Sequence, residues 1–141
     1  EINKPHYKRL FSGWHEITEM KVNLHSCGSM NEILGDLIEC GVDIYNPVQT
    51  SANGMEPAGL KERFGDRLIF FGGVFDAVDL PANIAPDVVY EAVKANIRAL
   101  SANGRYIFAG VHNLPGDLPE AHFRAMVEAS RDCRYDPACL M

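Results

Sequence analysis

The sequence predicts an α/β fold of parallel (β/α) units, half of an eight-unit TIM (β/α)8 barrel. Three observations carry this. Short apolar runs alternate with stretches of helical period four times over, and strands separated by helices pair in parallel through right-handed crossovers. The third run, Leu68-Ile69-Phe70-Phe71, is apolar without alternation, which predicts burial on both faces as in a parallel sheet. The polar and unusual residues collect just after strands: His25 and Cys27, Asn46 and Gln49, Asp76, then His112 and Asn113. A barrel gathers all strand C-termini around one mouth, whereas an open sheet concentrates function at one switch point.

The elements follow in order. Tyr7, Leu10, Phe11 and Trp14 stand at helical spacing. Residues 21–25 read as a strand. Residues 30–40 read as a helix, with Ile33, Leu34, Leu37 and Ile38 on one face and Gly41 as its C-cap. Residues 43–48 are a second strand, and Pro47 marks its end because proline cannot donate to a ladder. A polar loop over 50–55 leads to a short helix over 57–64, with proline in its first turn and Gly65 after it. The third strand covers 68–74. A helix over 86–100 carries the stripe Val89, Val93, Ile97 and Leu100, with Asn103-Gly104 behind it. Residues 106–111 form a fourth strand and 119–130 the last helix. Residues 1–141 are thus expected to be one partial domain of four strand–helix units. The chain opens without Met inside a helical pattern, as expected of a fragment or processed product.

Composition excludes several classes. Of 141 residues, 47% are hydrophobic and 23% charged, ordinary for a globular domain. A net charge of −6 without a Lys/Arg cluster argues against nucleic acid. No apolar run approaches the ~20 residues that span a bilayer, and the polar start Glu1-Ile2-Asn3-Lys4-Pro5 is no signal peptide. Four cysteines (Cys27, Cys40, Cys133 and Cys139) read as reduced thiols of a cytoplasmic protein. Cys133 and Cys139 either pair, bind metal or have no role. There is no G-x-G-x-x-G after a strand, no G-x4-G-K-[ST], no G-x-S-x-G and no H-E-x-x-H.

His25-Ser26-Cys27-Gly28 closes the first strand. Alternation places His25 and Cys27 on one face, and an imidazole beside a thiolate suits zinc. The alternative is a buried cysteine beside a hydrogen-bonded histidine. With His112 they would make three ligands, leaving a fourth position open. A zinc-held substrate thiol is deprotonated and attacks a methyl donor. His112 is equally readable as a neutral loop residue. Asp76 is a candidate catalytic base or orienting carboxylate, or else a cap. Asn46, Gln49 and Asn113 are candidate substrate contacts; Asn46 also fits plain turn chemistry before Pro47. Met55 and Phe75 read as packing residues, and His6, His15 and His122 as helix residues facing solvent or neighbouring helices.

In sequence order, His25-Ser26-Cys27-Gly28, Gly41-Val42-Asp43-Ile44-Tyr45-Asn46-Pro47-Val48-Gln49, Leu60-Lys61-Glu62-Arg63-Phe64-Gly65-Asp66-Arg67, Phe71-Gly72-Gly73-Val74, Val111-His112-Asn113 and Asp117-Leu118-Pro119 resemble the uroporphyrinogen decarboxylase superfamily and its corrinoid-dependent methyltransferases. The likeness runs from about residue 22 to about residue 131. It implies the C-terminal half of a (β/α)8 barrel. The H-x-C motif resembles the methyltransferase branch, in which His and Cys ligate a zinc that activates a thiol toward a methylated corrinoid protein. The resemblance therefore implies zinc on His25 and Cys27, a corrinoid carried by a partner protein, and a small-molecule acceptor, either a thiol or a folate. The decarboxylases are cofactor-free, lack that pair, and keep their key Asp and Arg in the N-terminal half. The thiol-activating enzymes usually supply a second Cys after the last strand. Here the chain reads Ala109-Gly110-Val111-His112, so His112 is either a substituted ligand or, as in the decarboxylases, a substrate contact. Three readings follow: zinc-dependent methyl transfer, metal-free decarboxylation of a tetrapyrrole or other carboxylate, or a non-catalytic half-barrel module. Closing the barrel would take the N-terminal half or a second copy related by a two-fold.

Overall fold

The computed structural model describes residues 2–77 and 83–136. The element order is α1 (Lys4–Ile17), β1 (Asn23–His25), α2 (Leu34–Cys40), β2 (Ile44–Asn46), α3 (Pro57–Phe64), β3 (Ile69–Phe71), α4 (Pro86–Ser101), β4 (Tyr106–Ile107) and α5 (Glu120–Tyr135). The four strands form one parallel sheet in sequential order, β1-β2-β3-β4. Sequential neighbours joined by right-handed crossovers put every connecting helix on the same side, which is barrel winding. A doubly wound sheet would show a reversal of strand order.

The register divides the sheet into two faces. Leu24, Tyr45, Phe70 and Tyr106 lie abreast and pack toward the helices. There they join Leu34 and Leu37 of α2, Leu60 and Phe64 of α3, and Leu100 of α4. The opposite face carries Asn23, Ile44 and Ile69 in one row, then His25, Asn46, Phe71 and Ile107 in the next. It is only half covered: Ile44, Ile69 and Phe71 are half-buried and Ile107 is exposed. The expectation that the third strand is buried on both faces is thereby corrected. Leu68 and Phe70 are fully buried, whereas Ile69 and Phe71 are not, because helices cover one side alone. A second cluster lies between α4 and α5, where Val89, Val93 and Ile97 meet Met126, Ala129 and Cys133.

Other boundaries shift for local reasons. α2 begins at Leu34 rather than residue 30, since residues 31–33 form a turn and the Met30 N–H points at Met55 Sδ, 3.3 Å away. Ile33 consequently stays exposed. Gly41 caps α2 in the left-handed region, as its position predicts. β2 stops at Asn46, where the Asn46–Pro47 peptide is cis. α5 runs on to Tyr135, beyond the predicted residue 130. β3 ends because Gly72 and Gly73 take φ of +88° and +87°. A Cβ on Gly73 would stand 2.8 Å from Val48 Cβ, so only glycine fits that corner. Past it, Val74 N–H to Ala109 O (3.3 Å) and Val111 N–H to Phe75 O (2.9 Å) keep the outgoing segments side by side. That pairing brings residues 109–112 to the same end of the sheet as Asp76.

Candidate functional site

His25 is the last residue of β1, and its ring stands on the uncovered face beside Asn46 in the next strand. His25 Nδ1 lies 2.7 Å from Asn46 Oδ1, and Asn46 Nδ2 lies 3.3 Å from the Phe71 carbonyl. Cys27 falls in the loop beyond the strand rather than on it, yet its sulfur still meets the histidine. Sγ is 3.6 Å from His25 Nε2 and 3.9 Å from His112 Nδ1. Three residues separated by up to 87 positions in the chain therefore converge because the strand ends share one rim. Both His25 and Cys27 are exposed and His112 is half-buried, so the cluster is open to solutes.

The loop under Cys27 is tied down from two sides. The Gly28 N–H donates to Gln49 Oε1 at 2.7 Å, and the Tyr45 hydroxyl donates to Ser26 O at 2.9 Å. Tyr45 is fully buried, and burial, helped by Cys27 nearby, pushes its phenol well above the ordinary tyrosine range, so it stays a neutral donor. Gln49 Nε2 reaches Ser51 Oγ at 3.4 Å, and Ser51 Oγ donates to Asp76 Oδ2 at 2.7 Å. A continuous chain thus runs from the Gly28 amide through Gln49 and Ser51 to the buried Asp76 carboxylate.

The structure therefore brings His25, Cys27 and His112 together, sets Asn46 against His25 and Gln49 against the Gly28 amide, and joins Asp76 to them through Ser51 and Gln49. Both ends of the Asn46 and Gln49 amides point at protein atoms. Asn113 is exposed at the rim next to His112. Met55 and Phe75 are buried in the core, matching their reading as packing residues. His15 meets Asp43 at 2.9 Å and His122 meets the Ile84 carbonyl at 2.7 Å, each joining its helix to a neighbouring segment. Cys133 is buried in the α4–α5 cluster, and Cys139 lies outside the described residues. Tyr45 and Ser51 were not singled out by sequence. Strand alternation places Tyr45 opposite Asn46 but cannot show where its hydroxyl ends, and Ser51 is one of several small polar residues in its loop.

One thiol and two imidazoles are donors that zinc accepts. Around a tetrahedral zinc, a sulfur at about 2.3 Å and a nitrogen at about 2.0 Å lie roughly 3.5 Å apart. The His25–Cys27 separation matches that edge and the His112–Cys27 separation exceeds it by a few tenths of an ångström. Among the described residues no group of three or more His, Cys, Asp or Glu is placed to hold a metal ion as the side chains stand. No helix among them is long and apolar enough to cross a membrane.

A family model described as uroporphyrinogen decarboxylase (URO-D) matches residues 1–133. No curated protein and no solved structure matches the chain.

Proposed function

The chain belongs to the uroporphyrinogen decarboxylase (URO-D) family, an enzyme-type α/β domain, and from its strand-end cluster we propose that it is a methyltransferase in which a zinc-bound thiol accepts a methyl group from a methyl-corrinoid protein. The single observation that carries this reading is one exposed sulfur within 4 Å of two imidazole nitrogens that come from the two edges of the sheet. His25 Nε2, Cys27 Sγ and His112 Nδ1 would hold the metal, with a fourth position left for substrate. When bound, zinc supplies Lewis acidity that keeps a substrate thiol deprotonated near neutral pH. The chain's own part is positional. Tyr45 and Gln49 fix the backbone around Cys27, so the sulfur keeps its place at the rim. Asp76, joined to that loop through Ser51, presents a carboxylate that can receive the proton a thiol releases. Asn113, exposed at the rim, is the proposed substrate contact. A cytoplasmic setting, which keeps Cys27 reduced, belongs to the same reading.

The half-covered sheet face needs a cover for this chemistry, since a strand-end site open on one side does not exclude water. The N-terminal half of the barrel or a second copy of the chain would supply it.

The family's description supports a second reading, decarboxylation of a carboxylate-rich substrate without metal, with His112 as a substrate contact. Metal content separates the two. The protein purified without added metal is expected to carry near one zinc per chain, and His25→Ala or Cys27→Ala to carry almost none while remaining folded. A folded wild-type protein without zinc, and unable to take it up, would end the thiol-transfer reading and leave the decarboxylase-like one.

A further inference from the structure

We infer that Asn46 is a positioning residue that sets the tautomer of His25, and so leaves the imidazole nitrogen that faces Cys27 unprotonated. The argument needs three atoms in a row. Asn46 stands between His25 and Phe71 on the uncovered face, one strand from each. Its Nδ2 is 3.3 Å from the Phe71 carbonyl oxygen, which can only accept. Turning the amide over would set two acceptors against each other there, so the amide is fixed with Oδ1 toward β1. Oδ1, also only an acceptor, is 2.7 Å from His25 Nδ1. Nδ1 therefore carries the proton.

In the neutral ring Nε2 then bears the lone pair, and Nε2 is the atom 3.6 Å from Cys27 Sγ. A backbone carbonyl in β3 thus dictates, through one side-chain amide, that the nitrogen offered to the thiol or to a metal is unprotonated. Asn46 is not itself a ligand. Both ends of its amide are used inside the protein, which distinguishes it from the substrate contact its place at the rim suggests.

The consequence for metal rests on the zinc reading above; the tautomer does not. The experiment is a long-range 1H–15N correlation spectrum of the 15N-labelled full chain, metal-free and above the histidine titration range. Wild-type His25 is expected with the proton on Nδ1. Asn46→Asp, which keeps an acceptor opposite Nδ1, should preserve that pattern. Asn46→Leu should shift population to the Nε2–H form. Competition with a chromogenic chelator should then show zinc affinity falling roughly ten- to a hundredfold in Asn46→Leu, and by less in Asn46→Asp. A wild-type ring protonated on Nε2, or one tautomer shared by all three proteins, overturns the inference. The wild-type spectrum alone can overturn it where a variant fails to fold, and the Asn46→Asp and Asn46→Leu spectra together assign the effect to Asn46. A wild type with Nδ1–H that takes up no zinc would leave the tautomer inference standing and remove the metal reading alone.

Discussion

Phe70 and Phe71 are adjacent, identical in chemistry and members of the same three-residue strand, yet they live in different environments. Phe70 is fully buried against α3 and α4, with Tyr45 and Tyr106 abreast of it. Phe71 points to the other face, where it is half-buried and Ile107 beside it is 39% exposed. The helix-facing side of the sheet is finished by this chain; the other side is apolar but uncovered, and the His25–Cys27–His112 cluster stands at its rim. Folding energy and chemistry are therefore drawn from opposite faces of the same four strands.

The sharpest test of that division is the pair Phe70→Ala and Phe71→Ala in urea unfolding at low protein concentration. Truncating a fully buried Phe costs about 3–5 kcal/mol, so Phe70→Ala should come near unfolding the domain. Phe71→Ala should cost less than half as much, since less contact is lost. Equal costs would break the comparison and mean that something covers the second face in solution. If the Phe71→Ala cost grows as protein concentration rises, that cover is a second copy of the chain.

Gly73→Ala probes the corner by which β3 leaves the finished face for the rim. A Cβ there meets Val48 at 2.8 Å, and φ of +87° disfavours any side chain. Strain of this kind costs about 1–3 kcal/mol. Gly28→Ala has similar φ (+90°) but open space around it. It should cost less in stability than Gly73→Ala, and the ordering is readable from the same urea titrations. Tyr45→Phe is the next smaller change. It keeps the buried ring and removes one hydrogen bond to Ser26 O, worth about 1 kcal/mol. Because that bond runs from the helix-facing row to the Cys27 loop, a zinc ion held as proposed should be released faster from Tyr45→Phe while the unfolding midpoint moves only slightly. An unchanged release rate would mean that Gln49 alone holds the loop.

Much of the finished face was legible in the sequence, and less of the other. Helical stripes such as Val89, Val93, Ile97 and Leu100 report burial against one neighbour, and all four are buried. The run Leu68 to Phe71 misled in one respect: an apolar residue facing the interior of an incomplete barrel looks the same in sequence as one packed under a helix. At the rim, His25, Cys27 and His112 were recognisable by residue type and by their position after strands. Their meeting depends on all four strands running parallel, which puts the ends of β1 and β4 at one end of the sheet, and on the path of the segments beyond them. The links that orient them were not legible. Ser51 between Gln49 and Asp76, and the Tyr45 hydroxyl under Ser26, depend on where loop atoms end in space, to which periodicity is blind.

The smallest expected effect lies at the opposite end of β2, where Asp43 ties α1 to the sheet. Its carboxylate takes the Val22 N–H at 2.8 Å, His15 at 2.9 Å and Lys21 at 3.5 Å. Burial alone would raise its pKa, but the Val22 N–H, His15 and Lys21 together outweigh it and hold the carboxyl below the ordinary range. A carboxyl lowered on folding stabilises the fold fully above its unfolded value of about 3.9, and that contribution fades as pH falls through the lower folded value. The wild-type melting temperature should therefore drop more steeply between about pH 5 and pH 2 than that of Asp43→Asn, with the two curves running parallel at higher pH. The anchor sits at the end of β2 away from the rim, so the substitution should leave unchanged whatever zinc the proposed site takes up. An acid slope identical in both proteins would show that α1 is held by its buried Phe11 rather than by the His15–Asp43 contact, and a change in zinc uptake at the proposed site would show that the two ends of the sheet are not independent.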